Sequence, residues 1–101
     1  MGEPNFIIHL AAAISILCLS WYLRISTLEL CIVIFLIVTT LAAELFNTAI
    51  EHLCDRLTKD QDKLIMKVKD LSAAAVLLIA LGDVIIGFII FWPYLINLVS
   101  G

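Results

Sequence analysis

The chain has 101 residues, 63% of them hydrophobic and 15% charged, with a mean hydropathy of +1.15 and a formal net charge of −3. A soluble domain of this size buries only about 60% of the surface its unfolded chain exposes, so it has no room for such an apolar excess, and the same excess excludes disorder. The acidic balance offers no basic stripe for nucleic acid.

In chain order, the first apolar stretch runs from Phe6 to Leu23 and stops at Arg24. No basic segment precedes it and no small-residue cleavage site follows, so it reads as a membrane span rather than a signal peptide. A second helix is predicted over 28–57, turning polar after Ala43. At 1.5 Å per residue that helix is roughly 45 Å long, against a hydrocarbon core of roughly 30 Å. Its C-terminal end must therefore project into water. A hydrophilic connector is expected over 58–70, with Leu64, Ile65, Met66 and Val68 able to touch an interface. The third span is expected over 71–91, closed by Trp92, Pro93 and Tyr94. The fold class that follows is an all-α membrane protein with three transmembrane helices per chain, residues 1–101 forming one membrane-embedded domain.

Orientation follows from the cations. Arg56, Lys59, Lys63, Lys67 and Lys69 fall around the second connector, and the first connector has only Arg24. The positive-inside rule places 56–70 and the N-terminus in the cytoplasm and the C-terminus outside. Trp21, Tyr22, Trp92 and Tyr94 then share the outer interface, where amphipathic rings prefer to lie. Cys18, Cys31 and Cys54 have neither an even count nor a metal-type spacing and read as small apolar packers.

Glu44, Asn47, Glu51 and Asp55 recur at i, i+3, i+7 and i+11 on one face of the second helix, bordered by Thr40 and Thr48. Glu44 is expected within the hydrocarbon level on the cytoplasmic side, and Glu51 and Asp55 at or beyond the interface. Ionisable groups at membrane depth are expensive and by default face a site. The alternative is a face that only pairs with basic residues of neighbouring helices, but no cation of this chain is expected at the depth of Glu44. Lys69 and Asp70 reach the same interface, followed by Ser72 and three alanines that allow close helix approach. Glu3 sits at the cytoplasmic mouth of the first span, level with Glu51, and the two could supply oxygen ligands to Mg2+. Three helices alone are not expected to enclose Glu44, Asn47, Asp83 and the Thr39/Thr40 pair, which predicts an oligomer. Asp83 falls near the bilayer midplane, level with Ser15, Thr39 and Thr40, either hydrogen-bonded against another helix or part of a polar cluster between chains. His9 reads as a hydrogen-bonded packing residue.

The segment Glu44-Leu45-Phe46-Asn47-Thr48-Ala49-Ile50-Glu51, then Asp55, then Lys69-Asp70-Leu71-Ser72-Ala73-Ala74-Ala75-Val76 resembles the signature of the bacterial integral-membrane diacylglycerol kinase/undecaprenol kinase family. The run Glu3-Pro4-Asn5-Phe6-Ile7-Ile8-His9-Leu10 is similar to the segment that opens the first span there. The resemblance implies a homotrimer of three-span chains in the bacterial cytoplasmic (inner) membrane, with sites shared between subunits. It implies transfer of the γ-phosphate of ATP to the hydroxyl of a membrane lipid, undecaprenol or diacylglycerol, with Mg2+. By the same resemblance Glu44 is the catalytic base and Glu3 and Glu51 are metal ligands. Asn47, Glu51, Asp55, Lys69 and Asp70 then line the nucleotide. Thr48 and the His9-Leu10 segment are nearer the undecaprenol branch. The family's N-terminal amphipathic helix has no counterpart before Glu3, so a member with impaired catalysis and an assembly role is one alternative.

A small transporter using Glu44 as a proton or cation site is the other. It does not call for the aqueous extension through Glu51 and Asp55 or for the Lys69-Asp70 pair. The sequence contains no Gly-x-x-x-x-Gly-Lys phosphate loop, and Gly2, Gly82, Gly87 and Gly101 are scattered. The chain is thus expected to be a kinase outside the common soluble folds.

Overall fold

The computed structural model describes residues 4–57 and 62–101 and is helical throughout apart from short turns. Three helices follow one another: α1 over Pro4–Leu23, α2 over Thr27–Leu57 and α3 over Lys63–Ser100. All three are long and apolar enough to cross a membrane. The 31 residues of α2 and 38 of α3 correspond to roughly 46 and 57 Å, so both outrun the hydrocarbon core that α1 just spans.

The turn between α1 and α2 is set by its own backbone. Arg24 has φ 56°, the left-handed region, which costs about 1–2 kcal/mol for a residue carrying a Cβ. Its N–H donates to the Trp21 carbonyl at 3.3 Å, and that of Ile25 donates to the Ser20 carbonyl at 3.4 Å. This pair of bonds closes the end of α1 and satisfies carbonyls that would otherwise be orphaned. Ser26 then opens α2. Its hydroxyl accepts from the Glu29 N–H at 3.1 Å, and the Glu29 carboxylate accepts from the Ser26 N–H at 3.0 Å. The Ser-x-x-Glu spacing that produces this reciprocal cap is legible in the sequence.

Two boundaries differ from the sequence reading. The connector expected over 58–70 becomes helix from Lys63 onward, because Asp62 caps α3 by accepting from the N–H groups of Leu64 at 2.8 Å and Ile65 at 3.1 Å. The third span, expected to close at Trp92, Pro93 and Tyr94, continues as helix to Ser100. Proline withholds a single N–H, from the carbonyl four residues back. Ending the helix in apolar surroundings would strand several more backbone groups, so α3 carries Pro93 within it. Phe88 and Trp92 stack one turn apart on this stretch, with ring centroids 5.2 Å apart.

The helices alternate in direction, and α2 packs chiefly on α3 and less on α1. The core is small and lies toward the α1–α2 turn. Val33, Ile90 and Phe91 are buried there, with Leu19, Leu23, Ile25, Ile37 and Ile86 packed around them. Most other large apolar side chains face outward, among them Ile8, Phe35, Leu78, Val84 and Ile89. An outward apolar surface over three such helices is the pattern of a chain whose solvent is lipid.

Candidate active site

Polar side chains join α2 and α3 on both sides of that core. Tyr94 on α3 donates to the Glu29 carboxylate on α2. Near the middle, the Thr40 hydroxyl is bonded to the Asp83 carboxyl. Further along, the Ser72 hydroxyl donates to Asn47 Oδ1 at 2.7 Å. Lys69 Nζ reaches Asp55 Oδ1 at 2.7 Å near the far end. Positions 29, 40, 47 and 55 of α2 are separated by 11, 7 and 8 residues, close to three, two and two helical turns, so they fall within an arc of about 80° and one side of α2 meets α3 along their shared length.

Glu44 belongs to the same stretch of α2 but turns to α1. His9 Nε2 lies 3.1 Å from Glu44 Oε1, with the Glu44 side chain 13% exposed and that of His9 35%. The sequence reading placed no cation at the depth of Glu44 and left His9 as a packing residue. The structure brings the one α1 side chain able to carry a positive charge onto that carboxylate. His9 is five residues from the start of α1, so in this antiparallel register α2 soon passes the end of α1 and runs on beside α3 alone.

Glu51 and Asp70 are exposed, Lys69 is half-buried and Asp55 exposed. The six expected site residues of α2 and α3 therefore lie along the half of these two helices away from the core, with Glu44 shielded and Glu51 exposed two turns further along α2. Only Asp55 and Lys69 among them touch each other. Glu3 and Lys59 lie outside the described residues. No three His, Cys, Asp or Glu side chains converge on one point among the described residues. A divalent ion at Glu51 would need phosphate oxygens and water to fill its shell. Magnesium is suited to that arrangement, since it keeps its waters and usually takes only one or two carboxylates.

Two further features were not legible beforehand. The polar groups expected to need a second chain find partners within this one: Glu44 has His9, Asn47 has Ser72, and the Thr39 hydroxyl donates to the Phe35 carbonyl at 2.7 Å, while Asp83 takes the first of its two expected readings, a hydrogen bond against another helix, with Thr40. A cavity of about 380 Å³ also opens between the three helices, running from His9 past Ala13, Thr40, Asp83 and Gly87 to Phe91. It lies where α1 and α3 scarcely meet, each packing on α2 instead. Its walls are apolar except for His9 and the Thr40–Asp83 pair, and Glu44 lies beside it through its contact with His9.

The family model for prokaryotic diacylglycerol kinase matches residues 1–91, all three helices as far as the core residue Phe91. The chain belongs to this family. The undecaprenol kinase of Bacillus subtilis (strain 168) is 40% identical over 93 residues, which cover 92% of this chain and 76% of its own. A membership spanning nine-tenths of the chain makes it a lipid kinase and a multi-pass membrane protein, with a membrane lipid and ATP as its substrates. It also leaves the transporter reading of Glu44 without support.

Proposed function

We propose that this lipid kinase transfers the γ-phosphate of ATP to the hydroxyl of undecaprenol or diacylglycerol, with Glu44 as general base. The observation that carries the reading is the gradation along α2. A shielded carboxylate at Glu44 adjoins an apolar cavity, and an exposed one at Glu51 stands two turns nearer water. A lipid hydroxyl and an aqueous nucleotide need such a pair of levels on one helix. Glu44 takes the hydroxyl proton as the lipid oxygen bonds to the γ-phosphorus, the bond from that phosphorus to the β-γ bridging oxygen breaks, and ADP leaves. Positioning and charge neutralisation supply most of the catalysis in such a transfer.

Glu51 and Glu3 would hold Mg2+, which when bound offsets phosphate charge. Lys69 adds a fixed cation, oriented by Asp55. Asn47, Asp55 and Asp70 line the nucleotide on the α2–α3 side, with Ser72 fixing the Asn47 amide. The cation cluster at 56–69 supports a cytoplasmic site and an external C-terminus in the bacterial inner membrane. The assembly is a homotrimer, a reading supported by the family resemblance and by the outward apolar surface rather than by unpaired polar groups.

The test is phosphorylation by purified protein in mixed micelles with labelled ATP, Mg2+ and separate undecaprenol, diacylglycerol and ceramide. Undecaprenol is expected to be the best acceptor, in keeping with the Bacillus relative. Label on ceramide alone, or ATP hydrolysis with no labelled lipid, would overturn the assignment.

A further inference from the structure

We infer that His9 is a positioning residue for phosphoryl transfer, holding the Glu44 carboxylate beside the three-helix cavity that His9 itself lines. The inference rests on the reading of Glu44 as the proton acceptor. The two side chains approach to 3.1 Å through His9 Nε2 and Glu44 Oε1, and the approach joins two different helices. His9 also lines the cavity, so it touches both the candidate base and the apolar space beside it. Glu44 is largely shielded, and a carboxylate with few neighbours at that depth has several rotamers of similar energy. A polar partner on the opposite helix selects one of them. With Oε1 held by His9, Oε2 is left to meet a hydroxyl.

The arrangement also explains why α1 matters for chemistry whose other described residues sit on α2 and α3. From Pro4 to Leu23, α1 contributes no acidic or Lys/Arg side chain, and apart from the His9–Glu44 contact its packing on α2 is apolar toward the core end. A reacting group displaced by about 1 Å can lose roughly 100-fold in rate, so one contact that fixes its carboxylate has a large kinetic lever.

The experiment compares wild type, His9→Ala, His9→Leu, His9→Gln, Glu44→Gln and the His9→Ala/Glu44→Gln double variant, using the best acceptor lipid of the panel above. Turnover is measured with ATP affinity by equilibrium binding. His9→Ala and His9→Leu should lower kcat by roughly 10- to 100-fold with ATP affinity and the KM for ATP unchanged. His9→Gln, which keeps a polar N–H near the carboxylate, should recover most of that loss. A residue acting only by filling space would instead be rescued by leucine. In the Glu44→Gln background, removing His9 should cost nothing further, since two residues serving one function are not additive.

Full turnover in His9→Ala alongside a crippled Glu44→Gln would overturn the role of His9 alone. An equal loss on removing His9 in both backgrounds would do the same, because His9 would then act elsewhere. Full turnover in Glu44→Gln would overturn the general-base reading, and the positioning role with it.

Discussion

The two ends of this molecule are built on different principles. At the α1–α2 turn, three helices converge on Val33, Ile90 and Phe91, and the backbone is pinned by the left-handed Arg24, the Ser26/Glu29 cap and the Tyr94–Glu29 bond. At the other end α1 drops away and α2 and α3 continue as a pair, joined by Asn47–Ser72 and Asp55–Lys69 and presenting exposed carboxylates. The packed end has its geometry decided by apolar contact. The open end has its geometry decided by a few polar pairs. On the proposed reading stability and chemistry are separated along the helix axes, and substitutions at the two ends should fail in different ways.

The largest effect should come from the open end. Glu44→Gln keeps the shape of the side chain but cannot take a proton, so transfer should fall by roughly 10²–10⁴-fold while ATP binding survives. Glu51→Gln should behave differently, raising the Mg2+ needed for half-maximal turnover and recovering in part at high metal. Turnover over a magnesium titration, with ATP binding measured in parallel, separates the two. Loss of ATP binding in Glu44→Gln together with recovery by magnesium would reverse their roles.

Next in size is a break of the packed end. Phe91→Ala removes a buried ring from the core, a change worth roughly 3–5 kcal/mol in close-packed proteins. Thermal unfolding in mild detergent should shift down sharply, with specific activity of the folded fraction at low temperature retained. An unchanged melting profile would show that Phe91 is not the keystone of that end.

The smallest effect should be Tyr94→Phe, which removes the hydroxyl donated to Glu29 and leaves the ring in place. A single hydrogen bond between two side chains that solvent can reach is screened and contributes little. The melting temperature should fall slightly and kcat should not move. A loss of turnover from this distant position would show that the two ends are coupled.

The sequence by itself determined that this is a membrane chain of three helices, because uninterrupted apolar runs of roughly twenty residues satisfy their backbone in lipid as helices, whereas barrel strands are about half that length. It also determined which side chains stand out, since Glu44, Asn47, Glu51 and Asp55 are costly on an apolar helix wherever they point. The sequence also carried the capping signals at Ser26/Glu29 and Asp62, and the start of α3 at Lys63 went unread because the cations around it resemble a loop. Only the tertiary structure decided which partner each polar group takes. His9 against Glu44, Ser72 against Asn47 and Asp83 against Thr40 depend on the antiparallel register and on the rotation of each helix about its axis. Rotation is settled by how Val33, Ile90 and Phe91 interlock at the far end, contacts between residues almost sixty positions apart. A local pattern records the period of a helix and its exposed charges. It does not record which helix those charges will face.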